Sequence, residues 1–133
     1  MNPDYAKLIE LSILTKQFSY SPYSKFSVGA ALLTANNKIY TGTNIECASY
    51  SLTICAERVA FSKAISEGEK KFKAVAITSS KNIFVYPCGA CRQFMYEFGN
   101  DIDVILVKTK KQFIIKKLNE LLPDVFDKNT LLK

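Results

Sequence analysis

Two short stretches of the chain hold residue types that can do chemistry together. In "TICAERVA", Thr53 to Ala60, an otherwise apolar run is interrupted by Cys55, Glu57 and Arg58; in "YPCGACRQF", Cys88 and Cys91 bracket a glycine and an alanine. The chain has four cysteines and no histidine, so any soft-metal site must rest on sulfur. Cys88 and Cys91 are three apart, share one helical face and can grip one ion. A third sulfur from Cys55 makes three ligands, the number that separates catalytic zinc from structural zinc, because the fourth tetrahedral position stays open for water. An acid two residues from a ligand, Glu57, is well placed to touch that water.

Alternatives stand beside each of these readings. Cys47, at a strand end in "NIECASYS", could close the site as a fourth thiolate; its blander reading is a small buried hydrophobe. A Cys-x-x-Cys pair alone is shared with redox dithiols, and the upstream Cys-Ala-Glu is what sharpens it. For Glu57 the plain alternative is an exposed first-turn acid favoured by the helix dipole.

These residues need elements to position them. Apolar periodicity predicts a helix over Asp4–Phe18, then a loop at "SYSPYSK" punctuated by Pro22. "FSVGAALLT" and "KIYTGTNIE" read as two antiparallel strands joined across Asn36 and Asn37. A helix follows from about Cys55 to Ile65, with Gly68 as its stop. "KAVAITSS", "GACRQFMYEFG" and "DVILVKT" form a β-α-β crossover with parallel buried strands. A short strand around Phe113–Ile115, a helical turn or two in "LNELLPDVF" broken at Pro123, and a polar tail complete the chain. The expected fold is a three-layer α/β/α sandwich on a mixed five-stranded sheet. Cys55 and Cys88 then both begin helices on the loop side of the sheet, where ligands concentrate and where unpaired backbone amides favour thiolate over thiol.

With 133 residues, 48% of them hydrophobic, the chain suits one globular domain over residues 1–133. The start "MNPDYAKLIELS" has no basic segment followed by an apolar run, and no stretch of about 18 apolar residues occurs, so neither a signal peptide nor a membrane span is expected. A cytoplasmic setting follows, in which cysteines serve as thiols or metal ligands rather than disulfides. The net charge of +6 raises nucleic acid as a partner, but the lysines are scattered rather than gathered in a stripe with interleaved aromatics, so no nucleic-acid or membrane partner is expected.

"CAERVA" with "PCGACRQ" resembles the zinc deaminase signature, and "PYSKFSVGAALLT", "TGTNIECASYS" and "SEG" extend the resemblance from about Tyr20 to Phe126. The chain is identified as similar to the short-chain, homotetrameric cytidine deaminases. That resemblance implies one zinc per chain on Cys55, Cys88 and Cys91, water activated to attack C4 of the cytosine ring, and Glu57 moving the protons. It further implies that Asn44 and Glu46 hold the ribose hydroxyls, that Phe26 packs on the pyrimidine, that the backbone near Ala56 reads the base, and that Phe126 closes a neighbouring subunit's pocket. Phe26 and Ile45 fit plain core equally well on periodicity alone. Three thiolates and a hydroxide on Zn²⁺ leave a formal charge of −2, which a guanidinium at Arg58 would offset; Arg92 and Gln93 are expected near the same sulfurs, with a surface salt bridge as the alternative for Arg92. The expected reaction is hydrolytic deamination of cytidine and deoxycytidine in pyrimidine salvage. The competing readings are a blasticidin-type aminonucleoside deaminase and a non-enzymatic, zinc-stabilised basic module that binds nucleic acid.

Overall fold

The computed structural model describes residues 2–132. Helix α1 (Pro3–Thr15) begins where the Asn2 side chain accepts from the Asp4 amide at 2.9 Å and Pro3 sets the first helical φ. It stops earlier than its apolar pattern suggests: Lys16–Phe18 tighten into one 3₁₀ turn. Strands β1 (Val28–Thr34) and β2 (Ile39–Thr43) form the expected antiparallel hairpin, and Asn37 takes the left-handed conformation its turn needs, at φ 68°. Helix α2 (Ala56–Ser66) ends before Gly68, whose φ of +98° suits a helix stop. Strand β3 (Phe72–Ser79), helix α3 (Gly89–Tyr96) and strand β4 (Asp103–Thr109) make the parallel crossover, and β5 (Gln112–Lys117) pairs antiparallel with β4.

The sheet order is β2-β1-β3-β4-β5. It is mixed and five-stranded, as expected, and both faces are covered. Alternation along the central strands sends Ala31, Leu33, Ala76 and Ile105 toward Leu8 and Ile9 of α1. It sends Leu32, Val75, Ile77 and Leu106 toward Ala60, Phe61 and Met95 of α2 and α3. Each large side chain fully buried in this way contributes about 1.5–3 kcal/mol, so the three layers hold one another.

Two expectations are corrected at the ends of elements. The strand expected to reach Glu46 ends at Thr43. Beyond it the Asn44 side chain takes over the ladder's work, with Oδ1 accepting from the Val28 amide at 2.9 Å, while Ile45 makes only isolated bridges to Tyr20 and Ile54. The tail read as merely polar contains a short helix, α5 (Lys128–Leu132), after the four-residue α4 (Leu118–Leu121). Among the described residues no helix is long and apolar enough to cross a membrane.

Candidate metal centre

Helices α2 and α3 lie on the same side of the sheet and present their N-termini to one place. Cys55 is the residue before α2 and Cys88 the residue before α3, both in extended backbone, so each thiol stands at a helix entrance where free amides carry partial positive charge. Cys91 sits one turn into α3 and is fully buried. The three Sγ atoms lie within 4.8 Å of one another. Cys55 and Cys88 are 3.9 Å apart, Cys88 and Cys91 3.5 Å, and the Cys91 amide donates to the Cys88 sulfur at 3.4 Å. Sulfurs about 2.3 Å from a tetrahedral ion stand about 3.8 Å apart, close to these separations, so this donor set fits zinc. Cys47 is not among the converging sulfurs; it is half-buried, and its amide donates to Thr53 Oγ1 at 3.2 Å.

Charge in this place is shared unevenly. The Cys91 thiol, as a hydrogen-bond donor, and the Arg58 guanidinium bring Cys55 down to about 5, while its hydrogen bond to Cys55, followed by burial, holds Cys91 well above the usual thiol range. Arg58 Nη2 stands 3.6 Å from Cys55 Sγ, and its buried Nε has no partner among the described residues. A guanidinium short of acceptors beside sulfur is what a thiolate cluster with excess negative charge requires.

Glu57, in the first turn of α2, is only 4% exposed. Burial, followed by the Cys55 charge, raises its carboxyl to about 7. The exposed first-turn acid is therefore not what this chain builds. A carboxyl near 7 can both take and give a proton at neutral pH.

Glu57 lines a pocket of about 180 Å³ together with Phe26, Asn44, Ala56, Tyr86 and the Cys88 thiol. A second, wider cavity of about 410 Å³ is lined by Tyr23, Ser24, Glu46, Tyr50 and Thr53, and Thr53 also borders the first. Asn44 and Glu46 thus serve adjoining chambers. Asn44 is already heavily engaged: besides the Val28 amide, its oxygen accepts from Ser19 Oγ, and Nδ2 donates to the Phe26 carbonyl at 2.7 Å, leaving one N–H for a ligand. It fixes Phe26 as much as it faces the pocket. Glu46 Oε1 accepts from the Tyr23 and Ser24 amides at 3.0 and 3.1 Å, and the Ser24 side chain, followed by these two amides, holds it below the usual carboxylate range.

The expectation for Arg92 and Gln93 is corrected. Among the described residues neither hydrogen-bonds a sulfur: Arg92 donates to the carbonyls of Pro87 and Leu121, and Gln93 Nε2 donates to the Phe126 carbonyl at 2.7 Å. Successive helical residues turn by about 100°, so positions 92 and 93 rotate away from the face that buries Cys91. Phe126 itself is 60% exposed, at a cavity beside Gln93 and Leu131. Sequence reasoning missed the walls Thr53, Tyr86 and Tyr50; no spacing signal marks them, because they come from loops and one short 3₁₀ turn brought in by the fold.

The family model described as the cytidine and deoxycytidylate deaminase zinc-binding region matches residues 3–108. A probable cytidine deaminase of Dictyostelium discoideum is 47% identical over 95% of this chain and 86% of its own length. The cytidine deaminase of Sporosarcina psychrophila is 46% identical, with 96% and 95% of the two chains covered. The crystal structure of cytidine deaminase from Burkholderia pseudomallei superposes with a TM-score of 0.86 at 40% identity, covering 90% of this chain and 97% of that one.

Proposed function

The chain belongs to the cytidine deaminase family, and on that premise we propose hydrolytic deamination of cytidine and deoxycytidine to uridine and deoxyuridine, with release of ammonia, as its reaction. The observation that carries it is the convergence of three cysteine sulfurs within 4.8 Å beside a buried Glu57. Cys55, Cys88 and Cys91 would hold zinc, which when bound supplies Lewis acidity and a nucleophile at neutral pH. The rest of the chemistry falls to the chain. Glu57, with its carboxyl near 7, accepts a proton from water, delivers it to ring N3 and then assists departure of the exocyclic amine as ammonia. Its burial keeps competing water from the proton path.

The two chambers support a division of the substrate. The base fits the inner pocket, against Phe26 and the backbone of Ala56; the sugar fits toward the outer one, where the remaining N–H of Asn44 and Glu46 Oε2 meet the ribose hydroxyls. Arg58 offsets the excess negative charge of the thiolates. We read residues 1–133 as a single catalytic domain working in pyrimidine salvage. A ligand set of free thiolates needs a reducing compartment, which supports a cytoplasmic setting.

The assembly proposed is a homotetramer with shared pockets. Tyr50, which lines the outer chamber, is 73% exposed, Leu52 two residues on is 64% exposed, and Phe126 projects at 60% exposure from the C-terminal segment; these apolar groups support burial against other copies. The deciding experiment is an ultraviolet assay of cytidine loss with ammonia detection, run with and without a chelator. Chelator-sensitive turnover is expected. A protein that binds zinc, leaves cytidine untouched and retains nucleic acid would support the binding-module reading instead.

A further inference from the structure

Of the three sulfurs Cys88 is the exposed one, and the chain leading to it is poorly tied down. Residues 84–87 belong to no strand or helix, and among the described residues their backbone makes one hydrogen bond: Arg92 Nε donates to the Pro87 carbonyl at 2.7 Å. The same guanidinium donates through Nη1 to the Leu121 carbonyl at 2.6 Å. Leu121 is the last residue of α4, so its carbonyl is one that a helix end leaves without an internal partner. Pro87 is buried, and a buried carbonyl stripped of its donor is costly. One planar fork therefore joins the peptide just before a metal ligand to the end of another element. The strap it holds also contributes Val85 and Tyr86 to the inner pocket.

We propose that Arg92 is a positioning residue for the metal centre, pinning the strap at residues 84–87 to the end of α4 and so holding the Cys88 thiolate and the Tyr86 wall in place. This rests on the reading of Cys55, Cys88 and Cys91 as the zinc ligands. Cys91 is held by burial within α3 and Cys55 by the packed start of α2; Cys88 is exposed, and although the Cys91 amide on its sulfur and the Arg92 amide on its carbonyl tie it to α3, the strap on its other side has no such backbone ties among the described residues. Because Arg92 lies on the turn of α3 that follows Cys88, its reach back to Pro87 closes the loop from which Cys88 projects. A lysine could satisfy one of the two carbonyls but lacks the fork needed for both.

The test uses the full chain as wild type, Arg92→Ala and Arg92→Lys. Zinc release to a chromophoric chelator gives affinity, cobalt(II) substitution gives the thiolate-to-metal absorption, and cytidine kinetics are run at saturating zinc. Arg92→Ala should lose about 10- to 100-fold in zinc affinity, the scale for losing an outer partner of a ligand, and should show a weakened cobalt–thiolate band and a KM raised more than kcat is lowered. Arg92→Lys should fall between. Wild-type affinity and cobalt absorption in Arg92→Ala, even with a lower Tm, would overturn the proposal and leave Arg92 a plain structural tie. Should Arg92→Ala not fold, Arg92→Lys decides: reduced affinity with native circular dichroism supports the role, and unchanged affinity refutes it. A wild-type protein without any cobalt–thiolate band would overturn the metal reading itself, and this proposal with it.

Discussion

Gly42 of strand β2 lies directly beneath Ala60 of helix α2, so close that a methyl group on Gly42 would stand 2.5 Å from the Ala60 amide nitrogen and 2.5 Å from the Ala56 carbonyl oxygen. The start of α2, with Cys55 before it and Glu57 and Arg58 in its first turn, is seated on bare backbone. Gly42→Ala should therefore destabilise the fold by about 1–3 kcal/mol, the usual cost of overpacking, and should also weaken zinc binding as α2 lifts. Gly89→Ala, where nothing lies within 4 Å, should leave stability nearly unchanged. Denaturant midpoints and zinc titrations of the two variants make the comparison; equal behaviour would show that α2 tolerates displacement.

Glu57→Gln should keep fold and zinc yet lose about 10²- to 10⁴-fold in turnover, the scale of general acid–base catalysis, because the amide matches the carboxyl in shape and cannot carry the proton. The check is kcat in protein shown to contain one zinc per chain. Near-normal turnover would remove Glu57 from the chemistry.

Cys47 and Cys55 should separate cleanly. Cys47→Ala is expected to retain zinc and most activity, since that thiol stands outside the converging group, whereas Cys55→Ala should lose both. Metal analysis by mass spectrometry reads the difference. Equal zinc loss in the two variants would argue for a closed four-thiolate site.

For Phe126→Ala we expect a KM for cytidine raised about tenfold, in keeping with roughly 1–3 kcal/mol for an aromatic stacked on a base, with zinc content unaltered. Light scattering on the intact protein should give a tetramer. A fully active monomer would end the shared-pocket proposal while leaving the zinc chemistry intact.

A pH effect is expected far from the metal. The Tyr5 hydroxyl donates to Asp103 Oδ2 at 2.5 Å, and burial, followed by that carboxylate, holds Tyr5 well above its ordinary 10. The folded state keeps this proton to higher pH than the unfolded chain does, so the contribution is complete below about pH 10 and is lost as the pH climbs beyond it. Lys117, whose Nζ is 2.8 Å from Asp103 Oδ1, is likewise raised and adds a slope of the same sign. Tyr5→Phe should flatten, without abolishing, the fall in urea midpoint between about pH 9 and pH 11. An identical slope in the two proteins would show that the hydroxyl is not linked to folding.

What the sequence determined by itself was whatever depends on near neighbours. Continuous apolar runs in "KAVAITSS" and "DVILVKT", helical spacing in α1 and α2, and glycine at the end of α2 follow from local geometry, and they sufficed for the mixed sheet flanked by helices. The converging cysteine triad was legible for the same reason: Cys88 and Cys91 share a helical face, Cys55 and Glu57 share a helix start, and a chain without histidine has few other soft ligands to offer. Only the tertiary structure decided where the long side chains finish. Arg92 and Gln93 are adjacent to a ligand in sequence, yet α3 turns them toward Leu121 and Phe126, 29 and 33 positions away. Asn44, read as a sugar-binding group, spends three of its hydrogen bonds holding Ser19, Phe26 and Val28. Glu57's rise to about 7 arises from packing that no composition records. Hydrogen-bond partners at such separations are set by which segments the sheet brings together, and that is a property of the whole chain at once.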